Sequence, residues 1–354
     1  SHFGLSWGQT MMLAASPVCA GSASLRGPSR DYAAFRETLR HPSAQPALEE
    51  MLDFVQGFPG GLPRAEAARR VHRFLTGVQD RVLSEIDVFA ADGDEEARAN
   101  TMEGLEKFLL GRLHQRLFAS EPADAAEDAR LQRRIGSLRW VECKHLGVPA
   151  VNPALLFLAV KELQRIDRYK APRDKLVCVR NACHVIGNVL IQTRAESGVV
   201  VRPLSADDFL PMLIFALIMA NPPRLHSNVE FVAAFRHPSR LVAEDAYYLT
   251  TLQSAVAFVG DAGPKALDVT PEDFDRLCAA SLREHRAASG HAEAAELGAA
   301  GRRRLGQRVE ALPLRFEAVH SAQQLRVQDL DALLEEYREM AQLLHDVSEG
   351  ALGQ

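Results

Sequence analysis

Cysteine is scarce and shows no pairing pattern. Five residues, Cys19, Cys143, Cys178, Cys183 and Cys278, are scattered through 354 positions with no Cys-x-x-Cys pair. An odd, dispersed set argues against a disulfide scaffold and a structural zinc site, and fits free thiols in a reducing cytosol. Aromatics make up only 6% of the chain. The longest apolar run, Phe209 to Ala220, contains Pro211 and falls short of the about twenty residues a membrane span needs. Positive charge is not in excess, since the net charge is −5, so no broad nucleic-acid footprint is expected. Gly-x-Gly-x-x-Gly, Walker, His-Glu-x-x-His and Gly-x-Ser-x-Gly motifs are all missing. Covalent catalysis, a metal site and a cofactor are therefore not expected. The chain opens on SHFGLSWGQT, with Ser rather than Met. Its short apolar patch lacks a preceding basic region, which argues against a signal peptide, and residues 1–30 are expected to be disordered.

What is present is helical periodicity. Ala, Leu, Arg and Glu dominate, which favours helix over strand. Val71, Phe74, Leu75, Val78 and Val82 recur at one-face spacing, as do Met102, Leu105, Phe108, Leu109 and Leu113. A third segment, 127–141, carries Leu131, Ile135, Leu138 and Trp140. These predict a helical bundle over 31–142. Further helices are predicted at 153–166, 175–193, 204–220, 228–235, 243–259 and 271–282. The stretch GVVVRPL at 198–204 is the best strand candidate, and a loop explains it as well. Residues 284–320 read as linker or weak helix. Leu330, Leu333, Tyr337, Met340, Leu344 and Val347 then step 3, 4, 3, 4, 3, a heptad seam that predicts a helix over 321–354. That seam either packs on its own domain or pairs with a partner helix. The expected fold is all-α: an N-terminal bundle packed on a helical core, followed by a helix or coiled-coil segment.

The most apolar helix raises a question of its own. In LSADDFLPMLIFALIMANPPRL (204–225), Asp207 and Asp208 sit at its mouth. Ser205 and Asp208 form a capping-box-like pair, and acids in a first turn suit the helix dipole. That explains two carboxylates but not Pro211, which removes an N–H that the carbonyl of Asp207 would accept. At the other end Asn221 precedes Pro222 and is pushed out of the α region. Downstream, EDAYY (244–248) sets two tyrosines near a helix start. They are either one core and one incidental residue, or a binding surface with a polar tip. Cys178, Cys183 and His184 share a predicted helix but not a face, so a buried role is expected rather than a metal site.

The ordered stretches PRDKLVCVRNACHVI (172–186), SADDFLPMLIFALIMANPPRLHSNVEF (205–231) and HPSRLVAEDAYYLTTLQSAVAFV (237–259) resemble the Vps-nine domain. TPEDFDRL (270–277) and RLQRRIGSLRWV (130–141) extend the likeness to the branch of that family in which a helical bundle precedes the exchange core. The resemblance covers about 31–283. It implies an all-helical exchange core at 143–262, a tail helix at 263–283, and release of GDP from Rab GTPases of the Rab-five group in early endocytic trafficking. Such an exchange factor makes and breaks no covalent bond. By the same resemblance Asp207 and Tyr247 are the exchange residues, while Pro211, Asn221 and Thr250 bind the GTPase, whose nucleotide-free form is preferred.

The match has departures. The family branch carries a zinc finger and a ubiquitin-binding helix at its N-terminus, and neither has a counterpart here. The segment VAEDAYY has Ala in place of an expected Gly and one residue fewer, which tilts Tyr247. The resemblance further implies a coiled-coil partner resembling rabaptin through Leu330–Val347. It also implies a cytoplasmic protein held peripherally at early endosome membranes through partners, with no nucleic acid bound. The alternative is a non-catalytic adaptor that binds a Rab or a coiled-coil partner without driving exchange.

Overall fold

A computed structural model describes residues 30–89, 95–148, 150–196, 206–241 and 243–295. Among these, every regular element is helical, and the all-α expectation holds. The strand candidate at 198–204, the N-terminal 1–29 and the heptad segment 321–354 lie outside the described residues.

Among the described residues, the first five α-helices are α1 (Arg30–Thr38), α2 (Gln45–Gln56), α3 (Arg64–Glu85), α4 (Glu95–Leu117) and α5 (Asp124–Ser137). The stripes read from sequence are their buried faces: Val71, Leu75, Val78 and Val82 on α3 and Leu105, Phe108, Leu109 and Leu113 on α4 are all buried. Phe74 stacks on Phe54 of α2, ring centroids 3.8 Å apart. The helix expected over 127–141 stops at Ser137, whose hydroxyl donates back to the carbonyl of Arg134 at 2.7 Å. A turn then follows, closed by a bond from the N–H of Val141 to the carbonyl of Leu138 at 2.9 Å.

Six α-helices follow among the described residues: α6 (Phe157–Arg165), α7 (Pro172–Glu196), α8 (Ala206–Ala220), α9 (Leu225–Phe235), α10 (Ala243–Asp261) and α11 (Pro271–Ala295). The helix expected over 153–166 is split. Asn152 Oδ1 accepts from the N–H of Ala154 at 3.0 Å and opens a 3-10 turn, Pro153–Leu156, ahead of α6. α8 is the central element, packed against α6, α7 and α10. Phe209, Met212 to Ile218 and Ala220 are all buried on it, as expected of a helix apolar on every side.

The bundle and the later helices share a core. Phe231 and Phe235 of α9 pack with Val71, Leu75, Leu109, Leu110 and Leu113. Among the described residues, 30–281 accordingly form one compact unit, and α11 from Leu282 onward belongs to another.

Candidate functional site

The residues singled out by sequence gather mainly where α8 and α10 begin. Asp207 and Asp208 are consecutive in the first turn of α8. The side chain of Asp207 lies outside the described residues. Asp208 is ion-paired through Oδ1 to Nη2 of Arg194, near the end of α7. Pro211 sits inside α8 and is half-buried. The helix runs through it, although its ring nitrogen has no hydrogen to offer the carbonyl of Asp207.

Tyr247 and Tyr248 take different surroundings. Tyr248 is fully buried, its ring centroid 6.2 Å from that of Phe209 and 5.7 Å from that of His184. Burial pushes its phenol up, and Cys183 and Glu244 add to the shift. Tyr247 is half-buried and edges the core beside Phe209 at 6.4 Å. Burial raises its phenol too, against the opposing effect of the Thr251 hydroxyl. Thr250, three residues on and so on the same face, is exposed and donates its hydroxyl to the carbonyl of Ala246 at 2.9 Å.

The start of α10 is anchored to α7. His184 Nε2 lies 3.3 Å from Glu244 Oε1, and Arg180 Nη1 lies 3.8 Å from Asp245 Oδ1. Burial raises the Asp245 carboxyl, with Arg180 opposing. Cys178 and Cys183 of α7 are buried. Burial pushes the Cys178 thiol up to about 12, and Cys183 is raised by the same cause. Neither thiol is poised as a nucleophile.

Asn221 is not brought to this cluster. It follows the last residue of α8, fourteen positions after Asp207, or about 21 Å along a helix. Its N–H still bonds the carbonyl of Leu217 at 3.0 Å. Its φ is 39°, so the residue before Pro222 leaves the right-handed α region for the left-handed one rather than for an extended conformation. Its side-chain oxygen is buried with no hydrogen-bond partner among the described residues.

Two residues that sequence reasoning passed over hold this bend. Asn228 Nδ2 donates to the carbonyls of Arg224 at 2.8 Å and Pro223 at 3.3 Å, and to Asp167 Oδ1 at 3.0 Å. Its Oδ1 accepts from Lys175 Nζ at 2.5 Å. Lys175 is wholly buried, and burial lowers its ammonium to about 8, with Asp167 opposing. The available signal was a lysine opening the apolar run Leu176–Val179 of a core helix, where a charge must have partners.

These features place the candidate surface at the paired start of α8 and α10. Residues 156–263, from the turn before α6 to just past α10, match the Vacuolar sorting protein 9 (VPS9) domain, and the chain carries that domain. It is 35% identical over 246 residues to Vacuolar protein sorting-associated protein 9A of Oryza sativa subsp. japonica, covering 68% of this chain and 50% of the relative. It is 32% identical over 257 residues to the Rab5 GDP/GTP exchange factor of Homo sapiens, covering 70% and 50%. Vacuolar protein sorting-associated protein vps901 of Schizosaccharomyces pombe is 31% identical over 279 residues, covering 75% and 47%. The chain thus spans about half the length of these curated relatives.

Proposed function

We propose that this protein is a guanine-nucleotide exchange factor that releases GDP from Rab GTPases of the Rab-five group. The observation that carries the reading is the placement of Asp207 in the first turn of α8, where the neighbouring Phe209 packs beside Tyr247, inside a VPS9 domain. A Rab holds GDP through Mg²⁺ and a phosphate-bound lysine. An exchange factor must stabilise the empty GTPase more than the loaded one. Asp207 would do so by taking over that lysine and by opposing Mg²⁺ electrostatically. A charge-assisted contact in a dry interface is strong enough for the task. Tyr247, Pro211 and the exposed Thr250 would hold the switch segments away from the nucleotide. The part of Asn221 in binding is indirect: it ends α8 and sets the bend. The mechanism makes and breaks no covalent bond. A coiled-coil partner resembling rabaptin, docking on Leu330–Val347, would bring the protein peripherally to early endosomes.

The test is release of a fluorescent GDP analogue from a panel of purified Rabs. Wild type should accelerate release from Rab-five-group members. Asp207→Ala should lower kcat/KM by about a hundredfold or more, the scale for a lost buried charge pair, while keeping the fold. Tight binding to GTP-loaded Rab without acceleration would replace this reading with the adaptor.

A further inference from the structure

The Arg194–Asp208 pair joins two helix ends that frame the candidate site. Arg194 stands two residues before the end of α7, and Asp208 two residues after the start of α8. The arginine side chain is 15% exposed and the aspartate 17%, so the pair is largely shielded from solvent and salt. Its place matters because of Pro211. Without a proline N–H, the helix cannot tie down the carbonyl of Asp207, and the first turn of α8 needs another tether. Arg194 supplies one from outside the helix. Consecutive residues on a helix project about 100° apart, so fixing Asp208 toward α7 fixes the rotation of the turn that carries Asp207. Arg194 Nη1 is buried and finds no acceptor among the described residues.

We propose that Arg194 is a positioning residue for nucleotide exchange: it clamps Asp208 and the proline-loosened first turn of α8, so that Asp207 is presented to the GTPase in one orientation. The proposal rests on the exchange reading of Asp207. Arg194 would act through Asp208 rather than by direct contact with nucleotide or GTPase. It acts on the turnover step rather than on the encounter.

The experiment measures kcat and KM for GDP release with the full chain, comparing wild type, Asp207→Ala, Asp208→Asn, Arg194→Met, Arg194→Lys and the Arg194→Met/Asp208→Asn double variant. Thermal melting is recorded on each. Arg194→Met is expected to lower kcat about tenfold or more with KM within about twofold, at temperatures where it is fully folded. Arg194→Lys, which keeps the charge without the planar fork, should recover part of the loss. The double variant should fall short of the product of the two single losses, because the two changes share one contact. Wild-type kcat in Arg194→Met, a loss that follows the unfolded fraction, or multiplicative losses in the double variant would each overturn the proposal. If Arg194→Met does not fold, Asp208→Asn carries the same expectation and the same overturning result. Full exchange by Asp207→Ala would instead bring down the exchange reading itself. A dead Asp207→Ala beside an active Arg194→Met would bring down only the role of Arg194.

Discussion

Arg236, the residue after α9, donates through Nη1 to Glu106 Oε1 of α4 at 2.8 Å. The same guanidinium reaches both oxygens of Glu103 at 2.6 Å. Arg236 and Glu106 are 3% and 1% exposed, so this is a buried ionic joint between the N-terminal bundle and the VPS9 helices. Burial raises the Glu106 carboxyl, against the pull of Arg236. Arg236→Met leaves that carboxylate buried and unpaired, which costs about 3–5 kcal/mol. Urea unfolding should show this loss. A double Arg236→Met/Glu106→Gln variant should recover part of it. Equal stability of Arg236→Met and wild type would mean that the joint carries no net energy.

The bend between α8 and α9 depends on Asn228. Asn228→Ala removes an amide whose two hydrogens are shared among three acceptors, and with it the acceptor facing Lys175. Losing the partner of a buried charge is expected to cost about 2–3 kcal/mol. Lys175→Met should cost less, because it removes the buried charge along with its contact. Thermal unfolding ranks the two variants, and the opposite order would contradict this account of the bend.

The adjacent tyrosines should separate cleanly. Tyr248→Ala empties a fully buried site and should cost about 3–5 kcal/mol, the scale of a large aromatic truncation in a core. Tyr247→Ala, at a half-buried edge, should cost clearly less stability but lower kcat/KM for GDP release about tenfold or more, the scale of an interface hot spot. Melting curves and exchange rates on the same preparations check both. Normal exchange by Tyr247→Ala would remove Tyr247 from the site.

Acid should weaken the fold through histidine. Burial, helped by the nearby Lys175 ammonium, lowers the His114 imidazole to about 4. His72 and His237, whose rings meet edge-on at 5.5 Å, are also lowered by burial. In the unfolded chain all three protonate near pH 6.5, where the folded chain keeps them neutral. The unfolded state therefore binds more protons as pH falls below about 6.5, and stability drops toward pH 4. His114→Phe keeps a ring against Phe118, which His114 stacks on at 4.7 Å, and should flatten the dependence between pH 6.5 and 4. An unchanged slope in that variant would place the acid sensitivity elsewhere.

Much of the architecture was legible from periodicity. The buried faces of α3 and α4 coincide with the apolar stripes because a helix that packs on one side repeats its apolar residues every three to four positions. The breaks were less legible. α5 ends at Ser137 through a local hydroxyl bond, and the expected 153–166 helix begins as a 3-10 turn capped by Asn152. Such choices depend on a single side chain competing with the backbone, which an apolar pattern does not report.

For the site, local sequence sufficed to place Asp207 and Asp208 at a helix start, to mark Pro211 as a point where a helical bond is lost, and to mark Asn221 as the point where the helix ends. These follow from chain-local rules: a proline lacks an N–H, and the residue before a proline is restricted. Local sequence did not separate Tyr247 from Tyr248, or find Arg194, Asn228 and Lys175. Those assignments depend on partners distant in the chain, such as Asn228 fifty-three residues from Lys175. Helical periodicity says which face of a segment is buried. Only the packing of whole helices decides which charged group another segment brings to meet it.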